Sequence, residues 1–127
     1  MAGKEILIVE DNPLNLELTK DILQSEGYEV SVATSGLEAL ERIKVSKPDL
    51  VIMDIQLPSM DGLTVTKILK SDPVTSDIPV IALTAYAMKG DEEKMKEAGC
   101  SDYVPKPLDV KRFVTVVAKH IRVESKL

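Results

Sequence analysis

The run Leu50-Val51-Ile52-Met53, closing on Asp54, decides how the rest of the chain is read. Four apolar residues in a row leave no polar face, so a strand built from them is buried on both sides. Ile6-Leu7-Ile8-Val9 and Val80-Ile81-Ala82-Leu83 read the same way. Val30-Ser31-Val32-Ala33 and the short Tyr103-Val104 complete a set of five expected strands.

Helical patterns fill the intervals. Asn12-Pro13 reads as a cap followed by a proline in the first turn. Leu14, Leu18, Ile22 and Leu23 then mark an expected apolar face, and Gly27 stops the helix. Leu37, Leu40 and Ile43 follow Ser35-Gly36, and Asp61 can cap a helix carrying Leu63, Ile68 and Leu69. Lys89 to Ala98 is a charged helix ended by Gly99. Asp109 can cap a last helix whose Val110, Phe113, Val114, Val117 and Ile121 keep helical spacing. Five β-α units in succession predict an α/β fold with a parallel sheet covered by helices on both faces.

Composition agrees with a single domain over residues 1–127, with Ser71 to Asp77 as its most loop-like connection. Apolar residues make up 44% of the chain but aromatics only 3%, so the core must be aliphatic. The net charge of −5 argues against nucleic acid, which asks for excess Lys and Arg. No apolar stretch approaches the roughly 18 residues of a membrane span. Cys100 is a lone thiol, expected to be a small packing residue in a reducing compartment. No signal peptide is visible, so a cytoplasmic location is expected. The lone His120 is expected to be solvated on the last helix, and nothing beyond a short polar tail follows that helix.

The chemistry gathers where the strands stop. Glu10 and Asp11 follow the first strand, Asp54 the third, Thr84 the fourth, and Lys106-Pro107 lies just beyond the fifth. In a parallel sheet these positions share one edge, the edge at which such folds bind ligands. Three carboxylates crowded against one ammonium repel each other unless a cation joins them or a pKa rises. A hard divalent ion such as Mg²⁺ takes one or two carboxylates, keeps waters, and accepts phosphate oxygens. Asp54 is then a nucleophile able to form an aspartyl-phosphate, with Thr84 and Lys106 as partners of the phosphoryl oxygens. Taken singly each piece is bland: an acid pair at a turn, a threonine capping a loop, a Lys-Pro turn.

Together, Glu10-Asp11, Asp54 with Pro58 and Gly62 after it, Thr84-Ala85 and Lys106-Pro107 resemble the signature of receiver domains of bacterial two-component response regulators, over about residues 5 to 122. Asp54-Ile55-Gln56-Leu57-Pro58 and Ala87-Met88-Lys89-Gly90-Asp91-Glu92-Glu93 are most similar to single-domain members of the cell-division type. The resemblance implies a flavodoxin-like, doubly wound (βα)5 sheet in the order 2-1-3-4-5. It implies Asp54 as phosphoacceptor, and Asp11, Asp54 and the backbone carbonyl of Gln56 as direct Mg²⁺ ligands with Glu10 helping. Mn²⁺ is an expected substitute. Thr84 and Lys106 are implied to bind the phosphoryl group, Tyr103 to be the switch aromatic, and Lys106-Pro107 to be cis. Gln56 and Tyr86 occupy positions that tune phosphate lifetime, while Pro58, Gly62 and Pro107 are structural. The implied partners are a sensor histidine kinase or histidine phosphotransfer protein and a downstream protein target, with no nucleic acid and no membrane.

Other functions are weighed against this. An aspartyl-phosphate hydrolase usually needs a second acid two residues after the nucleophile, and position 56 is Gln. The chain is therefore expected to act on itself alone, not as a turnover enzyme. A pseudo-receiver usually lacks one of the acids or the lysine, and all are present here. A flavodoxin-like cofactor binder would need a phosphate-cradling loop where Glu10-Asp11-Asn12 stands.

Overall fold

The computed structural model describes residues 4–58, 60–85 and 89–121. Among them β1 (Glu5–Val9), β2 (Glu29–Ala33), β3 (Leu50–Asp54), β4 (Val80–Thr84) and β5 (Asp102–Pro105) form one parallel sheet in the order β2-β1-β3-β4-β5. They alternate with α1 (Pro13–Ser25), α2 (Gly36–Val45), α3 (Gly62–Ser71), α4 (Lys89–Ala98) and α5 (Val110–Ile121). Both the class and the strand order match the expectation.

Side chains alternate along each strand and so divide into two apolar layers. Ile6, Ile8, Leu50, Ile52, Ile81 and Leu83 pack with α1 and α5 through Leu23, Phe113 and Val117. Leu7, Val9, Val51, Met53 and Val80 pack with α2 and α3 through Ala39, Ile43, Val65 and Leu69. This is why β3 and β4 need apolar residues at every position: neither has a wet side, and both are buried throughout. Edge strand β2 instead alternates between exposed and partly buried residues until Ala33.

Local chemistry sets the helix starts. Asn12 Oδ1 accepts from the N–H groups of Leu14 and Asn15, each at 3.0 Å. Ser35 Oγ accepts from Glu38 N–H, and Asp61 Oδ1 from Thr64 N–H. Asp109 Oδ1 does the same for Arg112 N–H at 3.2 Å. After α1 and α4 the chain reverses through Gly27 (φ +94°) and Gly99 (φ +105°), a backbone region that glycine enters without a Cβ clash.

The helix faces need correction. Leu14 is 81% exposed and Leu18 48%, while α1 buries Thr19, Ile22 and Leu23. Leu37, Ile68 and Val110 are likewise exposed. Helices α1, α2, α3 and α5 carry more apolar residues than the covered face takes up, and docking on the sheet selects which are covered. His120 is also not simply solvated. Its Nε2 lies 3.0 Å from Asp102 Oδ2, on the side of β5 that faces α5.

Candidate functional site

Each strand delivers its polar residue at its carboxyl end because the apolar run before it is held in register. Met53 pairs with Val9 and with Ala82, so the residues that follow these strands arrive at one rim. Asp54 pairs with Leu83, the residue before Thr84, and Thr84 pairs with Pro105, the residue before Lys106. Glu10, Asp11 and Asp54 come together with one carboxylate oxygen from each within 4.8 Å of the others. Glu10 and Asp54 are buried, at 1% and 2% exposure, and Asp11 is exposed.

Lys106 reaches into this cluster. Its Nζ lies 3.2 Å from Asp54 Oδ2 and 3.5 Å from Glu10 Oε1. Its backbone N–H donates to the Thr84 carbonyl at 2.8 Å, fixing β5 against β4 where both meet the site. Lys106-Pro107 is cis, as expected. Gln56 N–H donates to Asp54 Oδ1 at 3.0 Å. Asn12 N–H donates to Glu10 Oε2 at 3.1 Å, so the first turn of α1 orients an acid of the cluster as well as capping itself.

Burial, reinforced by a hydrogen bond with Asp54, pushes Glu10 up to about 7, against the opposing pull of Asn12 N–H and Lys106. Its Oε1 is buried and has no hydrogen-bond partner among the described residues, Lys106 standing just beyond that range. An all-oxygen donor set, an orphaned acceptor and one cation against three acids fit a hard divalent ion such as Mg²⁺.

Gly62 lies close against the backbone of Asp54 and Ile55. A Cβ there would fall 2.3 Å from the Asp54 carbonyl oxygen and 2.9 Å from Ile55 Cα. Its N–H donates to the Ile55 carbonyl at 2.9 Å. The Pro58 carbonyl accepts from Met60 N–H at 2.7 Å. Tyr103 shares a face with its register partner Ala82 and gives its hydroxyl to the Glu92 carboxylate on α4. It is therefore a partly exposed, tethered ring and not a core aromatic. Gln56 and Pro107 are exposed beside the rim. Tyr86 lies outside the described residues, as do Ala87 and Met88 of the second quoted stretch. Sequence reading missed Glu92 as the partner of Tyr103 and Asn12 as the partner of Glu10. The first sits anonymously in a charged run, and the second already had a capping role.

The chain matches the family model of the response regulator receiver domain over residues 6–118. It is 49% identical over 118 residues to the polar-differentiation response regulator DivK of Brucella ovis, covering 93% of this chain and 96% of that one. The fold superposes on the signal receiver domain of a signal transduction histidine kinase from Syntrophus aciditrophicus with a TM-score of 0.91 at 34% identity, covering 98% and 95% of the two chains. The receiver domain of a sensor histidine kinase from Pseudomonas aeruginosa gives a TM-score of 0.87 at 36% identity, covering 94% and 98%. That structure carries a magnesium ion coordinated in its active site cleft. Among the described residues no helix is long and apolar enough to cross a membrane.

Proposed function

This chain belongs to the response regulator receiver domain family, and from that membership we propose that it takes a phosphoryl group onto Asp54 in a Mg²⁺-dependent reaction and signals by switching protein contacts. The observation that carries the reading is Lys106 standing between Glu10 and Asp54, beside a trio of acid oxygens within 4.8 Å.

Asp11, Asp54 and the Gln56 carbonyl hold the ion, with Glu10 as a buried supporting acid. Bound there, Mg²⁺ supplies the positive charge that lets the acids stay ionised beside an incoming phosphoryl group. An Asp54 oxygen attacks phosphorus while the bond from phosphorus to the donor breaks, its electron pair leaving with the donor. Gln56 N–H already fixes the orientation of the Asp54 carboxylate. Lys106 offsets charge on the phosphoryl oxygens, and the Thr84 hydroxyl donates to one of them. Mn²⁺ serves in place of Mg²⁺, since it also accepts oxygen ligands.

The donor is the phosphohistidine of a sensor kinase or a phosphotransfer protein, and the output is a protein target, both in the cytoplasm. Residues 1–127 act as one receiver unit whose only reactions are its own phosphorylation and slow dephosphorylation. Gln56 and Tyr86 set the lifetime of the phosphate.

Incubation with acetyl phosphate and Mg²⁺, followed by intact mass, tests this. Wild type gains one phosphoryl group and Asp54→Asn gains none. A gain that persists in Asp54→Asn, or no gain in wild type with Mg²⁺, refutes the assignment.

A further inference from the structure

Helix α4 is thinly held. Among its described side chains only Met95 and Ala98 are buried, and most of its sequence is charged. A polar tie supplements them, from the Tyr103 hydroxyl on β5 to the Glu92 carboxylate. Tyr103 sits beside Ala82, which is fully buried and small, one register step pair away from buried Thr84. Residues paired across adjacent strands share a face of the sheet. Tyr103 thus has small Ala82 as its strand neighbour, and its hydroxyl is tied to a carboxylate of α4. Thr84 closes β4, and α4 begins at Lys89.

We propose that Glu92 is a positioning residue: it holds Tyr103 against α4 and so opposes the arrangement that binds a phosphoryl group at Asp54. This rests on the receiver reading above and adds the group that sets the resting position of the ring. A contact made in one arrangement and lost in the other biases their populations by its own strength. Removing it must therefore strengthen phosphoryl binding, by the reciprocity of coupled equilibria.

The probe is beryllofluoride with Mg²⁺. Binding is followed by fluorine NMR of protein carrying fluorotyrosine, with Tyr103→Phe assigning the Tyr103 line among the three tyrosines. Glu92→Ala is expected to raise beryllofluoride affinity about fivefold, the effect of one ordinary hydrogen bond. It also moves the ligand-free Tyr103 line toward its liganded position. Glu92→Gln keeps an acceptor oxygen and stays near wild type. In a Tyr103→Phe background, Glu92→Ala changes affinity by less than about twofold, because the pair acts as a unit. Unchanged affinity in Glu92→Ala, or an equal gain with and without the Tyr103 hydroxyl, overturns the proposal. A wild type that takes up no beryllofluoride overturns the receiver reading and this inference with it. Uptake by wild type with no response to Glu92→Ala overturns the tie alone.

Discussion

The Lys106 ammonium stands 3.2 Å from the Asp54 carboxylate while its stem remains largely covered, at 20% side-chain exposure. It is the cation that the structure places among the described residues of the acid cluster, reaching Glu10 as well. Removing one partner of a buried ion pair costs more than the pair contributes, because the remaining charges stay uncompensated.

Lys106→Met is therefore expected to destabilise the Mg²⁺-free protein by on the order of 3 kcal/mol at about pH 8. The loss shrinks at about pH 5, where Glu10 can carry a proton. Urea unfolding at the two pH values measures it. An equal loss at both would show that the lysine contributes through packing and not through charge.

Glu10 makes the metal-free fold sensitive to pH. Its carboxyl is pushed up to about 7 in the folded state from an ordinary 4.5, first by burial. The folded state binds the proton more tightly than the unfolded chain, so this acid favours folding least when ionised. Stability should fall as pH rises from about 4.5 through 7, by on the order of 3 kcal/mol. Saturating Mg²⁺ favours the ionised acid and should flatten the decline. Chemical unfolding across that window, with and without Mg²⁺, reads it directly; a decline of equal size in both would separate the ion from this cluster.

Gly62→Ala places a methyl group against backbone, not against a side chain that can turn away. The expected cost is about 1–3 kcal/mol, as for overpacking elsewhere. Uptake of the phosphoryl group should slow as well, since the atoms that must move belong to Asp54 and Ile55. Thermal unfolding and a time course of intact mass test both effects. Wild-type stability and rate together would mean the turn has slack that the close approach denies.

Asp102 and His120 join β5 to α5 at 3.0 Å. Burial pushes the Asp102 carboxyl up, but His120 and the Tyr103 N–H outweigh it and the net shift is downward. Its contribution is present above the ordinary aspartate range and is lost as pH falls through the lowered value. Asp102→Asn should cost about 1 kcal/mol at about pH 6, and the cost should shrink as pH falls through the lowered value, where wild type takes up the proton too. A difference that persists in acid would assign the cost to geometry instead of charge.

The sheet and the rim were open to sequence reading because their signals are local and redundant. An unbroken run such as Leu50 to Met53 excludes a wet face, and its alternation with helices leaves few topologies. Once the strands are parallel, Glu10, Asp54, Thr84 and Lys106 must share an edge. The helix faces were less legible. Leu14, Leu18, Leu37 and Ile68 keep helical spacing yet remain exposed, since spacing defines a stripe without saying which stripe meets the sheet.

Residue order thus determined the fold class, the edge of the sheet at which Glu10, Asp11, Asp54 and Lys106 gather, and their identity, because each follows from patterns within a few consecutive residues. Tertiary structure alone decided that Glu10 is buried with an orphaned oxygen, that Lys106 spans two acids, that Tyr103 is tied to Glu92 and that His120 meets Asp102. Those are relations between side chains far apart in the chain. Their distances, and the desolvation that shifts their protons, exist only once the elements have packed.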